Sequence, residues 1–283
     1  MGARPRVAEE RGAAISSALA ECGGLLEALE ERDVQYSVAE RAVESLGLRE
    51  ASVLLVGVAL VSYMLRKRGE DHWLSLAERC EEGGGARSLL KSFVEESDSL
   101  SLGRGARLRR IGLYLERFAP LLEERFLEYS RDLEAFRRDL ARRLGAGRDS
   151  KTVVFATKMF YYALKAGGLG AALPATIPIP ADYRVCLVSL TSGLVEYGRG
   201  AWRKRARELR SKYPEVVSEA WGLVCSGARI PPLKLDVLLW IFGGILDRSG
   251  MDLASAIAGL EGVLGRGLEE GERRLVAELG AAL

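Results

Sequence analysis

The chain has 283 residues, enough for one large domain or two small ones with a sizeable core. Lys and Arg total 41 and Asp and Glu total 39, so the formal charge of +2 indicates no strong overall preference for nucleic acid or an anionic membrane. The four cysteines form no CxxC pair, which argues against a zinc or iron–sulfur site and against a disulfide scaffold. We therefore expect a cytoplasmic protein whose basic surfaces are local.

The sequence also argues against membrane association. The N-terminal residues MGARPRVAEERG lack the apolar core of a signal peptide. The longest apolar stretch, Val53 to Leu65, is interrupted by Gly57 and Ser62 and is too short to span a bilayer.

Apolar residues recur at spacings of three and four along most of the chain, a pattern typical of amphipathic or buried helices. In chain order the segments are AAISSALAECGGLLEAL, SVAERAVESL, ASVLLVGVALVSYML, LYLERFAPLLEERFLEYSRDLEAFRRDL, TVVFATKMFYYAL and LKLDVLLWIFGGIL. No stretch alternates apolar and polar residues as a strand would, and Asn-Gly or Asp-Gly turns are missing. The sequence therefore predicts an all-α fold.

One break between helices, LGAGRDSKTVVF, has the pattern of a helix-hairpin-helix motif. A helix is expected to end near Leu144, and a short hairpin containing Gly145 and Gly147 then leads to a helix capped by Asp149 or Ser150. Glycines leave backbone N–H groups of such a turn uncovered, and these groups can bind a phosphate together with the next helix N-terminus.

Lys151 lies in the first turn of the helix that follows this hairpin. The positive end of the helix dipole disfavours an ammonium group there, so partial burial would favour the neutral, nucleophilic amine, which can form a Schiff base. Phe155 and Lys158 follow at i+4 and i+7 on the same helix face. The alternative is that Lys151 is an ordinary solvated lysine. Asp182 opens another helix after a proline-rich approach, and helix capping alone would explain it.

Five segments resemble the archaeal 8-oxoguanine DNA glycosylases, a divergent branch of the helix-hairpin-helix glycosylase superfamily. They are ERDVQY, GEDHW, SKTVVFATK, IPIPADYRV and IPPLKLDVLLW, and they occur in the order expected of that family. The likeness is clearest over residues 30–95 and 150–245.

The resemblance implies a bifunctional glycosylase and strand-nicking lyase. Lys151 would attack C1′ of an extruded damaged nucleotide, Asp182 would be its catalytic partner, and β-elimination would follow without a metal or organic cofactor. The implied architecture has two helical subdomains with a cleft between them. Residues 96–181 would form the hairpin-bearing subdomain, while residues 1–95 and 182–283 would join into the other.

The resemblance also implies the residues that bind the damaged base. Because 8-oxoguanine differs from guanine chiefly by an N7–H donor and a C8 carbonyl, its pocket needs an acceptor for that hydrogen. The residues placed around the flipped base are Gln35, Trp73, Phe155, Lys158, Asp236 and Trp240. Gln35 can accept through its amide oxygen, and Phe155 and Trp240 are expected to stack on the base. Without the family, Phe155 and Trp240 would be core aromatics, Gln35 and Asp236 surface or capping residues, and His72 an exposed side chain.

The implied partner is DNA containing 8-oxoguanine, bound by a monomer that acts on the nucleoid. Gly145, Gly147 and Arg148 would hold the DNA backbone. Further basic contacts are expected from Arg137, Arg138, Arg142, Arg143, Arg203, Lys204 and Arg205.

Three other functions stay open at this point. The chain could be a glycosylase for a different damaged base, a non-catalytic helical DNA-binding module, or a helical protein–protein scaffold. The presence of both Lys151 and Asp182 argues against the non-catalytic module.

Overall fold

The structure, a computed structural model, describes residues 4–198 and 201–283. Within these residues there are seventeen α-helices and one antiparallel pair of two-residue strands, in which Arg6 lies opposite Glu196 and Val7 opposite Val195. In chain order the elements are β1 (Arg6–Val7), α1 (Glu9–Ala20), α2 (Leu25–Glu31), α3 (Val34–Leu46), α4 (Leu48–Val61), α5 (Gly69–Glu81), α6 (Ala86–Glu96), a 3-10 helix (Asp98–Leu100), α7 (Arg104–Arg117), α8 (Ala119–Glu124), α9 (Phe126–Arg131), α10 (Leu133–Leu144), α11 (Lys151–Ala166), α12 (Tyr183–Thr191), β2 (Val195–Glu196), α13 (Trp202–Lys212), α14 (Pro214–Ala228), α15 (Pro232–Arg248), α16 (Leu253–Leu264) and α17 (Glu270–Leu279). The predicted all-α fold is confirmed.

The chain divides into two compact units. The first consists of residues 4–32 and Ala175–Leu283, and the second is Asp33–Pro174. The boundaries between the units therefore follow residues 32 and 174, whereas the sequence placed subdomain boundaries after residues 95 and 181.

The second unit is built around α4 and α11. Both helices are apolar around most of their circumference, so both are buried along most of their length, and they pack against each other and against α3. Packing along α11 fixes the direction of the helix whose first residue is Lys151.

The first unit has α12 and α15 packed against each other within its core. The buried residues of α15 include the run Leu235–Leu239, and Pro232 begins that helix at a position where its missing N–H costs no hydrogen bond. These two helices carry the first unit's predicted site residues, Asp236 and Trp240 on α15 and Asp182 at the N-cap of α12.

Candidate active site

The turn before Lys151 has the geometry that its glycines predict. Helix α10 is followed by Gly145 at its C-cap, whose φ of 60° lies in the left-handed region that glycine adopts without steric cost. The N–H of Ala146 donates to the carbonyl of Ala141 at 2.9 Å, which closes the helix end. The side chain of Arg148 and the two glycines Gly145 and Gly147 are exposed, and α11 begins at Lys151.

Ser150, not Asp149, occupies the N-cap position of α11. The Ser150 hydroxyl makes no capping bond, and its oxygen is buried without a hydrogen-bond partner among the described residues. Asp149 instead accepts from Arg137, with Nη1 and Oδ1 2.5 Å apart. Arg137 also pairs with Glu134 at 2.8 Å.

Arg137 was predicted to contact DNA, and that prediction is wrong, because the side chain is buried and bound by two carboxylates. The sequence could not show that Arg137 is buried, because a run of arginines is typical of a solvent-exposed helix face. The neighbouring Arg138, Arg142, Arg143 and Arg148 are exposed.

Lys151 is half-buried, and the first turn of its helix is tied to α7. Arg110 of α7 donates from Nη2 to the Thr152 hydroxyl at 2.8 Å. Burial lowers the pKa of the Arg110 guanidinium. Sequence reasoning missed this residue because Arg110 lies within an arginine-rich helix that has no distinguishing motif.

A buried polar cluster centred on Asp33 joins α3 to α11. One carboxylate oxygen of Asp33 accepts from the N–H of Gln35 at 2.9 Å and caps α3. The other accepts from the Tyr162 hydroxyl at 2.8 Å and from the Lys158 ammonium at 3.4 Å. The ammonium also lies 5.0 Å from the centre of the Tyr162 ring. Asp33 was not among the predicted site residues, although an Asp preceding a helix is a recognisable cap signal.

Gln35 lies within this cluster and is only 1% exposed. Its amide oxygen has no hydrogen-bond partner among the described residues. A buried acceptor without a partner costs about 1–3 kcal/mol. The expectation of a surface or capping side chain at this position is wrong, because the Gln35 side chain is buried.

Trp73 and Phe155 form an aromatic pair in the same unit. Their ring centres are 5.8 Å apart, and the rings meet edge to face at 78°. Trp73 is buried and Phe155 half-buried. Phe155 is thus the more accessible of the two rings.

His72, expected to be exposed, is completely buried. Its two ring nitrogens lie 2.9 Å from the Ser62 hydroxyl and 2.7 Å from the Ser99 hydroxyl. Burial, with a smaller contribution from the charge of Arg107, lowers the pKa of His72 to about 3. A neutral His72 therefore anchors the start of α5 beside the Trp73 ring, whose centre is 5.5 Å away.

In the first unit, Asp182 is the N-cap of α12. Its Oδ1 accepts from the N–H of Val185 at 2.9 Å, and the side chain is half-buried. The capping role is therefore real. A carboxylate has two oxygens, and this capping bond uses Oδ1.

Asp236 and Trp240 lie one turn apart on α15, the first buried and the second half-buried. The prediction that Asp236 would otherwise be a surface residue is wrong. The guanidinium carbon of Arg184 stacks 4.2 Å from the centre of the Trp240 ring, and Arg184 donates to the Trp240 carbonyl at 3.3 Å. Sequence reasoning missed Arg184, although it lies two residues after Asp182.

The later basic run has mixed surroundings. Arg203 is paired with Asp247 at 2.6 Å, while Lys204 is exposed. Arg205 stacks on Tyr197 at 5.7 Å and donates to its carbonyl. Contact of these residues with DNA stays a prediction.

Comparison with known proteins assigns the family. The model of the AGOG family, described as N-glycosylase/DNA lyase, matches residues 16–272. The chain belongs to the AGOG family. This membership confirms the predicted enzyme class, a DNA N-glycosylase with lyase activity.

Archaeal relatives align with most of the chain. An N-glycosylase/DNA lyase of Pyrobaculum aerophilum is 35% identical over 225 residues, which are 76% of this chain and 78% of that protein. One of Aeropyrum pernix is 30% identical over 258 residues, covering 88% of this chain and 86% of that protein. The crystal structure of Pa-AGOG, the 8-oxoguanine DNA glycosylase of Pyrobaculum aerophilum, in complex with 8-oxoguanosine matches with a TM-score of 0.72 at 29% identity, over 90% of this chain and 97% of that one.

The described residues also include cysteine thiols, which are the other candidate nucleophiles considered for the site. All four cysteines are buried and none forms a disulfide, and burial raises the pKa of Cys80 to about 11 and that of Cys225 to about 12. These two thiols are therefore protonated at neutral pH and poor nucleophiles. Residues 4–198 and 201–283 hold no group of three or more His, Cys, Asp or Glu side chains able to bind a metal ion. None of the described helices is both long enough and apolar enough to cross a membrane.

Proposed function

We propose that this enzyme excises 8-oxoguanine from DNA through a Schiff base on Lys151 and then nicks the strand by β-elimination. The buried amide oxygen of Gln35, which lacks a partner among the described residues, is the observation that carries the proposal. The Pa-AGOG structure supports it, because that related protein is an 8-oxoguanine DNA glycosylase in complex with 8-oxoguanosine.

The chemistry begins at the Lys151 amine. Its lone pair attacks C1′ of the extruded nucleotide, and the N-glycosidic bond breaks as its electron pair leaves with the base. The attached nitrogen then gives up a proton to the departing base. Its lone pair forms the C=N bond of the protonated Schiff base as the C1′–O4′ bond breaks and O4′ takes up a proton from solvent. Removal of a C2′ proton by a base then forms the C2′–C3′ double bond, expels the 3′ phosphate and cleaves the strand.

Asp182 is the proposed partner in this reaction. Its Oδ1 is committed to the α12 cap, so Oδ2 is the oxygen that would stabilise positive charge developing on the sugar. Since the cap restrains the carboxylate, no reorganisation is needed when that charge appears.

Gln35 supplies the chemical test for the lesion. Its Oε1 would accept the N7–H of 8-oxoguanine, whereas guanine offers a lone pair at N7 and would leave the amide oxygen unsatisfied. An unmet buried acceptor costs about 1–3 kcal/mol, which corresponds to roughly 5- to 150-fold discrimination.

The remaining predicted residues are assigned to the base by their chemistry. Phe155 and Trp240 would stack on it, and the indole N–H of Trp73 would donate to its C8 carbonyl. Asp236 would accept from the Watson–Crick edge. Lys158, already beside Asp33, would line the site without adding an uncompensated charge.

The DNA backbone is assigned to the turn that precedes α11. Gly145 and Gly147 have no side chain beyond hydrogen, so backbone N–H groups there can approach a phosphate closely. Exposed Arg148 adds a positive charge at the same turn.

Borohydride trapping on 8-oxoguanine DNA tests this function. The wild type should form a covalent adduct, and Lys151→Gln should form none, while Asp182→Asn should form it more slowly. The matched control is Lys91→Gln, which removes an exposed lysine of α6 in the same unit and should trap like the wild type. Efficient release of a different damaged base, with 8-oxoguanine untouched, would overturn the proposed substrate.

A further inference from the structure

Arg184 covers one face of the Trp240 indole. Its guanidinium carbon lies 4.2 Å from the ring centre, and its Nη1 donates to the Trp240 carbonyl at 3.3 Å. The ring and the backbone of one residue are therefore both held by a single side chain. Both residues belong to the first unit.

Two consecutive glycines in α15 make room for this arrangement. A Cβ on Gly243 would lie 2.9 Å from the Arg184 carbonyl oxygen, and a Cβ on Gly244 would lie 2.8 Å from the guanidinium carbon. Both distances are too short for real Cβ contacts. Glycine inside a helix costs about 1 kcal/mol relative to alanine, so helix propensity opposes both glycines, and the close packing of Arg184 gives a physical reason for them.

The charge of Arg184 acts on the ring as well as its shape. A cation over an indole is attracted by the negative π face and draws electron density towards itself. The opposite face is then less electron-rich and stacks more favourably on an electron-rich purine. In the proposed function, that opposite face receives 8-oxoguanine.

We propose that Arg184 is a positioning residue that fixes the plane of Trp240 and strengthens stacking of the flipped base on the ring's other face. The inference rests on the proposed function, because it assumes that Trp240 stacks on the base.

The same helix turn holds the catalytic carboxylate. Asp182 caps α12 through the N–H of Val185, and Arg184 lies between these two residues in the chain. The α12 N-terminus therefore sets the position of both Asp182 and the Trp240 ring. A shift of this turn would disturb base stacking and sugar chemistry together, so the test must separate them.

Binding of free 8-oxoguanosine and two kinds of DNA cleavage make that separation. Arg184→Met, which removes the cation, should weaken 8-oxoguanosine binding by roughly 3- to 30-fold, the range expected for a cation–π contact. Arg184→Lys, which keeps a positive charge, should lose less affinity for 8-oxoguanosine. Gly244→Ala keeps the charge but displaces it, and should behave like Arg184→Met.

Excision of 8-oxoguanine is then compared with cleavage at a preformed abasic site, where no base is left to stack. Loss of excision in Arg184→Met should exceed loss of abasic-site cleavage. The matched control is Arg207→Met, which removes an exposed arginine lying 5.8 Å from the Tyr183 ring. It should leave the affinity for 8-oxoguanosine and the ratio of excision to abasic-site cleavage unchanged.

The outcomes are distinct. Unchanged 8-oxoguanosine affinity in Arg184→Met, or equal losses of excision and abasic-site cleavage, would overturn the role of Arg184. A wild type that binds 8-oxoguanosine but does not excise it from DNA would overturn the proposed function, while the binding comparison would still decide the role of Arg184.

Discussion

The buried amide oxygen of Gln35 should lower the stability of the fold while it serves to recognise 8-oxoguanine. Replacing it with Met keeps an unbranched side chain of similar length but removes the amide oxygen that has no partner. Because a buried unsatisfied acceptor costs about 1–3 kcal/mol, we expect Gln35→Met to raise the free energy of unfolding by about 1 kcal/mol. The same change should slow excision of 8-oxoguanine by roughly 5- to 150-fold, because the N7–H loses its acceptor.

Two assays decide this prediction. Urea denaturation gives the free energy of unfolding, and single-turnover kinetics on 8-oxoguanine duplexes give the excision rate. Cleavage at a preformed abasic site serves as the control, since it needs no base recognition and should change little. The reasoning would be refuted if Gln35→Met excised 8-oxoguanine at the wild-type rate. It would also be refuted if the variant were less stable and slower in both excision and abasic-site cleavage.

Three further predictions follow from buried or exposed charges. Asp33→Asn replaces the buried carboxylate beside the Lys158 ammonium with a neutral amide and should destabilise the fold by about 3 kcal/mol, measured by denaturation. Asp98→Asn in an exposed pair should cost less than about 1 kcal/mol. Arg148→Gln should lower the slope of log K against log salt for DNA binding by about one, measured by fluorescence anisotropy; an unchanged slope would exclude a phosphate contact. The folded pKa of His72, about 3, lies below its ordinary value of 6.5, so the unfolded chain binds the proton first. Stability should therefore fall as the pH drops from 6.5 towards 3, by roughly 3 kcal/mol at pH 4.5. His72→Gln should remove this contribution, and an identical pH profile in the variant would contradict it.

Much of the fold follows from local pattern. Three- and four-residue apolar spacing predicted the helices, because burial of one helix face imposes that spacing. The start of α11 at Lys151 followed from the turn chemistry of Gly145 and Gly147, which acts over a few residues. The strand pair β1–β2 was not predicted, since two residues are too few to alternate.

Long-range partners could not be predicted in the same way. Asp33 and Lys158 are far apart in sequence, and nothing local shows that they meet. The burial of His72 likewise depends on Ser62 and Ser99 from other segments. The pairing of Arg137 with Asp149 depends on the turn between α10 and α11, and the basic run around Arg137 gives no sign of it.

The residues of the candidate site also differ in whether local sequence could predict them. Lys151 carried a chemical argument from its position at a helix start, whereas Asp182 at a helix start also had a plain explanation as a cap. Gln35, Asp236 and Trp240 had ordinary structural explanations, and only the family resemblance singled them out. Arg184 had neither signal, since stacking on Trp240 appears only when α12 and α15 pack together.

The most direct test of the account is to locate the trapped adduct. After borohydride reduction on 8-oxoguanine DNA and nuclease and trypsin digestion, mass spectrometry should find the sugar remnant on the peptide spanning residues 149–158, DSKTVVFATK. Trypsin would skip the modified Lys151, so the peptide should end at Lys158. An adduct on Lys158 itself, on any other lysine or on the N-terminal amine would contradict Lys151 as the nucleophile.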